Sequence, residues 1–380
     1  MSATSPNEQH PANHEKEDRK GIAVATSLFS SRGSSSPVTL PDNVVDLLQG
    51  LMDIVSTTEE EGDVSDYLAA GLQAEGWLVT RQEVGTGRHN VYATRQAEHA
   101  PRFVFNSHLD TVPPFLPFSR DEKNIYGRGS ADAKGQVACM VQAARQLARA
   151  HPEKAADVGL LFVVGEEVDH IGMNYCNNLT GLSPEFLVVG EPTELKYALI
   201  QKGALKFNLS VTGKAGHSGY PETGRSAIHE LLAVLEDITH YEWPRDPQLG
   251  NTTYNIGKIQ GGQALNAWAE HAQAQVFFRV TTSVDDMKQR LASIIGDRAT
   301  VQFIGENNPV KLSQPPFDAQ LGQASFNTDL PYYKHFEKLK GAYLFGAGSI
   351  TVAHGPGEFV PIAELHECID KHVQLALALL

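Results

Sequence analysis

Three apolar runs of the chain are each followed closely by acidic residues or a histidine, and this order restricts the folds open to it. The runs and the polar residues beyond them are Phe103–Phe105 with His108 and Asp110, Gly159–Gly165 with Glu166 and Glu167, and Phe186–Gly190 with Glu191. In open α/β sheets, ligands gather beyond the carboxyl ends of the strands. The pattern therefore predicts an α/β fold whose strand ends converge on one polar site.

Two further candidate residues for this polar site lie in glycine-rich turns: Asp132 within Tyr126–Gly135, and His354 within Ala353–Glu358. Mixed histidine and carboxylate donors suit zinc, and manganese or cobalt can occupy such a set. Two metal ions about 3.5 to 4 Å apart also need a bridging carboxylate. Because Glu166 and Glu167 are adjacent, one can contact metal while the other takes a proton from water.

Five linked motifs carry a resemblance to a known family. They are His-Leu-Asp at 108–110, Gly-x-Gly-x-x-Asp-x-Lys-Gly at 127–135, Gly-Glu-Glu at 165–167, Gly-Glu-Pro-Thr at 190–193 and His-x-x-x-Glu at 354–358. From about Leu40 to its end, the chain resembles the dizinc amidohydrolases and metallopeptidases that include acetylornithine deacetylase, succinyl-diaminopimelate desuccinylase, aminoacylase and carboxypeptidase G. The stretch Gly348–His354 looks closest to the acetylornithine deacetylase branch.

The resemblance implies a role for each candidate residue. It implies two Zn²⁺ per subunit, with Co²⁺ or Mn²⁺ as alternatives, held by His108 and Glu191 on one side, by Glu167 and His354 on the other, and by Asp132 as the bridge. It also implies that Asp110 orients His108. Such a carboxylate partner fixes the imidazole tautomer and raises its basicity as a ligand. Glu166 is then the general base.

The pattern of elements changes at Lys202. A helix capped by Asp42 and later alternating strands and helices predict a doubly wound α/β sheet, whereas 202–305 has the order β-α-β-β-α-β that is typical of a ferredoxin-like sandwich. We therefore expect a zinc-dependent exopeptidase-like catalytic domain formed by 39–201 and 307–380. The α+β insertion at 202–306, here called the lid, is implied by the resemblance to be the dimerisation domain. Residues 1–38 read as a disordered extension.

Three residues of the lid match family positions that contact substrate. The resemblance implies that His217 reaches the partner subunit's site and stabilises the oxyanion, and that Asn266 and Arg279 hold the substrate carboxylate. The planar guanidinium of arginine suits that task. A turn histidine, a turn asparagine and a strand-edge arginine are the alternatives. Departures from the family pattern, such as Phe277 where an acidic residue is common, affect no metal ligand and leave the substrate open.

Composition excludes several classes of function. The formal net charge of -14, from 45 acidic and 31 basic residues, disfavours nucleic acid partners. The three cysteines show no pairing or CxxC spacing, so no disulfide framework or thiolate metal site is indicated. We see no apolar run long enough for a bilayer and expect no membrane role. A cytoplasmic location is the default, and a mitochondrial one the alternative, which acidic residues near the N-terminus disfavour.

These observations lead to a hypothesis about function. We expect a metal-dependent hydrolase that cleaves the amide bond of N-acyl amino acids, similar to acetylornithine deacetylase and active as a homodimer joined through the lid. A dipeptidase or carboxypeptidase of the same family is the alternative. A non-catalytic binding protein that keeps the fold would lack a ligand or Glu166, and none is lacking. An aminopeptidase without an inserted domain is disfavoured, because this chain has the insertion at 202–306.

Overall fold

The computed structural model describes residues 38–97 and 99–380, so the predicted N-terminal extension, apart from residue 38, lies outside the described residues. In the described part, helices α1 to α8 span Val44–Met52, Gly62–Ala74, Lys134–Ala150, Pro152–Ala155, Ile171–Cys176, Ala227–His240, Val284–Ile295 and Ile362–Leu379. Strands β1 to β18 span Leu78–Gly85, Arg88–Thr94, Phe103–His108, Ser119–Arg120, Asn124–Tyr126, Val158–Val163, Phe186–Val189, Tyr197–Gln201, Gly203–Thr212, Arg245–Asp246, Gly250–Asn251, Thr253–Gly261, His271–Val280, Thr300–Asn307, Val310–Lys311, Leu321–Ala324, Gly341–Leu344 and Phe359–Pro361.

The larger sheet is mixed rather than fully parallel. Its strand order is β1-β2-β6-β3-β7-β17-β8-β15, with β16 on β8. The centre, β6-β3-β7-β17, is parallel, whereas β1, β2 and β15 pair antiparallel at the flanks. Every residue of β3, β6, β7 and β17 is buried. Parallel strands are covered on both faces, which explains their continuous apolar runs.

Parallel pairing places three of the predicted site segments at one edge of this sheet. Strand β3 runs beside β6 and β7 in the same direction, and the three strands end at His108, Val163 and Val189. The segments that carry Glu166 and Glu191 therefore leave the sheet beside His108.

One predicted helix cap was wrong. The side-chain oxygen of Asn43, rather than that of Asp42, accepts the backbone N–H of Asp46 at 2.8 Å and caps α1. The two residues are neighbours of similar capping propensity, so the choice depended on a one-residue shift in where α1 begins. Asp42 instead lies 3.5 Å from the guanidinium of Arg149.

The lid has the element order predicted for it. Strands β9, β12, β13 and β14 form an antiparallel sheet in the order β12-β13-β9-β14, and α6 and α7 pack on one face. This is the strand order of a ferredoxin-like sandwich. The lid has its own core of buried side chains from both helices and the sheet. These facts support the predicted domain limits, which remain a prediction.

Buried and more exposed residues alternate along β9 and β13, so the lid sheet has two different faces. On β9, Leu205, Phe207 and Leu209 are buried against the helices, while Lys206 points to the opposite face. On β13 the alternate position Phe278 is buried in the same core. Side chains of successive strand residues point to opposite faces, so the intervening positions of both strands form a second face that is free of helices.

None of the helices in residues 38–97 and 99–380 combines the length and the apolar composition that crossing a bilayer needs.

We predict that Phe207→Ala destabilises the lid by about 3 to 5 kcal/mol, because it leaves a cavity in this core. Phe207 is fully buried and stacks on Phe278 with ring centroids 5.9 Å apart. The control is Phe115→Ala, since Phe115 is 42% exposed and its truncation should cost no more than about 0.5 kcal/mol. Urea unfolding of both variants would measure the difference, and equal midpoints would contradict the lid core.

Candidate active site

The first group of predicted ligands meets at the end of β3. His108 Nε2 lies 3.1 Å from Asp132 Oδ1 and 3.8 Å from Glu191 Oε1, and all three side chains are buried. His108 Nδ1 donates to the backbone carbonyl of Asp110 at 3.0 Å. That hydrogen bond keeps a proton on Nδ1, so Nε2, which faces the two carboxylates, is the nitrogen that can bind a metal ion once it has lost its own proton.

Asp110 does more than the sequence predicted for it. Its carboxylate lies 3.4 Å from His108 Nδ1, in keeping with an orienting role. The same carboxylate accepts the backbone N–H groups of Glu166 and Glu167 at 3.1 and 3.2 Å, and the Thr58 hydroxyl at 2.8 Å. One buried side chain therefore fixes both the histidine of the first group and the segment that carries the paired glutamates.

The second group shares Asp132 with the first. His354 Nε2 lies 3.3 Å from Asp132 Oδ2 and 3.0 Å from Glu167 Oε2. Asp132 thus turns one oxygen to His108 and the other to His354. The His354 side chain is 52% exposed, while that of His108 is 1% exposed. The second group therefore lies on the open side of the site.

The separations between these donor atoms fit divalent metal ions. Donors that each lie 2.0 to 2.2 Å from a tetrahedral zinc ion are about 3.3 to 3.6 Å apart. The distances of 3.0 to 3.8 Å within the two groups are close to this spacing. Five imidazole and carboxylate groups, with Asp132 between the two halves, can hold a pair of ions. The ligand assignment itself remains a prediction.

Glu166 lies beside the first group and, with Asp132 and Glu191, lines a cavity at the site. Burial raises the pKa of its carboxyl well above the usual range, and the negative charge of Glu191 adds to the rise. Its oxygens also lie close enough to His108 and Glu191 to join that group as a donor. A bound cation would offset the rise. A carboxyl with raised proton affinity suits a group that accepts a proton and then returns it.

A buried histidine beside Glu166 was missed by the sequence analysis. His170 Nδ1 lies 3.0 Å from Asp329 Oδ1 and 3.6 Å from Glu166 Oε1. Asn327 Nδ2 lies 3.3 Å from His170 Nε2, and the ring of Tyr332 stacks on the imidazole at 3.9 Å. The only sequence signal was a histidine three residues after Glu167. Its partner Asp329 is too distant in the chain for any local pattern to find it.

The loop that carries Asp132 is fixed from the far end of the chain. Glu358 Oε1 accepts the backbone N–H groups of Gly129, Ala131 and Asp132 at 2.9 to 3.2 Å, and its Oε2 accepts from Arg128 at 2.6 Å. Arg128 and Glu358 are both buried. Arg128 therefore stabilises this loop through a buried ion pair.

The lid residues named from the sequence lie in two different places. Arg279 lines the cavity with Glu166, Glu167 and His354, and so does Lys206, which the sequence analysis did not name. His217 and Asn266 are exposed and are not part of that lining. They are close to each other, because the backbone N–H of Ser218 donates to the Asn266 carbonyl at 3.0 Å.

Removal of the shared carboxylate of Asp132 should lower the number of bound metal ions more than removal of either histidine. We predict that Asp132→Ala retains less than one ion per subunit, whereas His108→Ala and His354→Ala each retain about one, because only Asp132 contacts both groups. Metal analysis after dialysis against zinc would measure the stoichiometry, with His217→Ala as the control that keeps two ions. Two ions retained by Asp132→Ala would contradict the shared ligand.

Zinc binding should release protons and strengthen as the pH rises. Hydrogen bonds from Asp132 and Glu167 raise the pKa of His354 to about 10. Burial would lower the pKa of His108, but Asp110 and Asp132 outweigh it and hold the pKa well above its usual value. Both imidazoles are then protonated near neutrality and must lose a proton to bind metal.

We therefore expect the zinc affinity to rise by about tenfold per pH unit for each proton displaced between about pH 6 and pH 8. Calorimetric titration of the metal-free protein in buffers of different ionisation enthalpy counts these protons. His217→Ala should release the same number, because its imidazole lies outside both groups. Binding without proton release would contradict the assignment of the two histidines.

Comparison with known proteins agrees with this geometry. Residues 104–378 match the peptidase family M20/M25/M40. An M20 peptidase domain-containing protein of Schizosaccharomyces pombe is 37% identical over 342 residues, which cover 88% of this chain and 84% of the relative. A probable carboxypeptidase of Uncinocarpus reesii is 34% identical over 386 residues, 88% of this chain and 86% of its own.

The fold also agrees with a solved structure. A tripeptidase from Staphylococcus aureus superposes with a TM-score of 0.71 at 21% identity, over 90% of this chain and 98% of that one. The predicted fold class and the family resemblance are both confirmed. The chain therefore belongs to the peptidase family M20/M25/M40 and is a metal-dependent hydrolase of amide bonds.

Proposed function

We propose that this protein is a carboxypeptidase for short peptides, one that removes a C-terminal residue with a free carboxylate. The observation that carries the proposal is the position of Arg279, a cation that faces the paired glutamates across one cavity. The relative from Uncinocarpus reesii that is named a probable carboxypeptidase supports the same activity.

Arg279 is half-buried, and its guanidinium stacks on the Phe277 ring at 4.2 Å. Within residues 38–97 and 99–380, no side chain or carbonyl forms a hydrogen bond or ion pair with this guanidinium. An arginine held in place by an aromatic ring, with its donors free, is suited to bidentate binding of a carboxylate. The free C-terminus of a peptide supplies that group.

The remaining residues divide the reaction among them. The donor set of His108, Asp132, Glu167, Glu191 and His354 suits two Zn²⁺, with Co²⁺ or Mn²⁺ as substitutes. Such ions, when bound, polarise a carbonyl and lower the pKa of water. Glu166 accepts the proton of the attacking water and delivers it to the leaving amine. Arg279 holds the substrate by the carboxylate of the residue that leaves with that amine.

The size of the cavity favours small substrates. Its volume is about 190 Å³, below the range of roughly 300 to 1,000 Å³ that is common for small-molecule pockets. A dipeptide or tripeptide suits this space better than a long chain.

A second candidate function is the deacylation of N-acyl amino acids, as in acetylornithine deacetylase. It is favoured by the same two observations, since an N-acetyl amino acid is small and carries a free carboxylate for Arg279. The two activities differ only in the group on the acyl side of the bond. We place the carboxypeptidase first because of the named relative.

We also propose that the active unit is a homodimer joined through the lid. His217 and Asn266 are exposed and lie away from the cavity of their own subunit. The family resemblance gives both residues a role at a substrate site. A second copy of the chain that presents this part of the lid to the cavity would reconcile the two facts.

The test of the proposed activity uses N-acetylated dipeptides in pairs, one with a free C-terminus and one amidated. We expect amidation to lower kcat/KM by about a hundredfold, because Arg279 loses its anionic partner. Arg279→Met should lower kcat/KM for the free peptide to about the level of the amidated one. N-acetyl amino acids in the same assay test the second candidate. Equal kcat/KM for the free and the amidated peptides would contradict both, because both activities depend on the free carboxylate.

The dimer is tested by mixing two inactive variants. Glu166→Gln removes the base and His217→Ala removes the residue offered to the partner, so each homodimer should be nearly inactive. In a mixed dimer, one of the two sites has an intact Glu166 and an intact partner histidine, and activity should return to about a quarter of wild type after random exchange. Active monomers in sedimentation, or no recovery despite exchange, would contradict the proposal.

A further inference from the structure

The helix-free face of the lid sheet presents a second cation beside Arg279. Lys206 on β9 pairs directly with Phe277 on β13, and Arg279 lies two residues further along β13 on the same face. Diagonal neighbours of this kind are roughly 7 to 8 Å apart, within reach of long side chains. Both cations lie near the Phe277 ring, with Lys206 Nζ at 5.2 Å and the Arg279 guanidinium at 4.2 Å from its centroid.

Lys206 is anchored but not neutralised. Its Nζ donates to the Val168 carbonyl at 2.8 Å, which uses one of its three donors. Among the described residues it forms no ion pair within 4.0 Å, although Glu166 and Glu167 line the same cavity. Partial burial lowers the pKa of Lys206. An ammonium that has lost part of its hydration gains more from an anionic ligand than an exposed one does.

The charges on this face fit a ligand with two carboxylates. The proposed function uses Arg279 for the α-carboxylate, and Lys206 then faces the side chain of the same residue. Acidic side chains are absent from the neighbouring positions of this face, where β9 carries Asn208 and β13 carries Gln275. A neutral side chain at the C-terminus of the substrate would leave the ammonium without an anion within ion-pair distance, whereas aspartate or glutamate could supply one.

We infer that Lys206 determines specificity and that the preferred substrates end in aspartate or glutamate. The inference rests on the proposed function, because it takes the carboxylate bound by Arg279 to be the C-terminus. Lys206 touches the substrate in this assignment and plays no part in bond cleavage. The alternative is a structural tether, in which Lys206 only holds the Val168 carbonyl. That role would affect all substrates alike.

The experiment compares N-acetyl-Ala-Glu with N-acetyl-Ala-Gln on the metal-loaded, full-length protein. Glutamate and glutamine have the same shape and differ in charge. We expect wild type to favour the glutamate peptide by about tenfold or more in kcat/KM, as one charge-assisted hydrogen bond provides. Lys206→Met should bring the ratio close to one, by slowing cleavage of the glutamate peptide alone. The control, Lys338→Met, removes an exposed lysine outside the cavity and should keep the wild-type ratio.

If Lys206→Met lowers kcat/KM equally for both peptides, Lys206 is only a structural tether and the inference is overturned. A wild-type ratio near one would also overturn the inference. Cleavage of both peptides would in that case still support the proposed carboxypeptidase activity. If neither peptide is cleaved, the proposed function fails. The inference about Lys206 is then tested separately by measuring ligand binding. Calorimetry with L-glutamate and L-glutamine should show tighter binding of L-glutamate to wild type and to Lys338→Met, and no preference in Lys206→Met. Equal binding by wild type would overturn it.

Discussion

The sharing of Asp132 between two histidines is the contact on which the rest of the site depends. Its two oxygens face His108 and His354, which come from opposite ends of the catalytic segments. Buried carboxylates that lie this close repel one another and are costly unless cations or hydrogen bonds offset them. The protein holds them with hydrogen bonds from the backbone. Asp110 accepts two N–H groups of the paired glutamates, and Glu358 accepts three from the Asp132 loop.

This support explains why the site can be both charged and rigid. Parallel pairing of β6, β3 and β7 brings the strand ends together, and the two supporting carboxylates then fix the loops that leave them. Each supporting carboxylate is itself buried and fully used, so small displacements of either would move a ligand. Groups that surround a metal site in this way set its geometry as much as the ligands do. His170 and Asp329 extend the same support to the side of Glu166.

The lid contributes chemistry of the opposite sign. The catalytic segments supply mainly carboxylates, whereas the lid face supplies Lys206 and Arg279 to the same cavity. The division follows from alternation along the lid strands, because their buried positions form an apolar core and their intervening positions are free to face the site. Substrate preference can therefore change on the lid while the catalytic centre stays the same, and the departures from the family pattern at Phe277 and its neighbours lie there.

The sequence by itself determined the family and the element order of the lid, and it predicted a ligand set whose members lie together in the structure. These depend on local signals: apolar runs that end in His108, Glu166 or Glu191, and a strand-helix periodicity that changes at Lys202. Local signals could not distinguish Asn43 from Asp42 as a cap, or a mixed sheet from a parallel one. Only the tertiary structure brought Asp329 to His170 and Glu358 to the Asp132 loop, because those contacts join residues more than 150 positions apart. It alone also set Lys206 beside Arg279, since the register between two strands of the lid decides which side chains are neighbours.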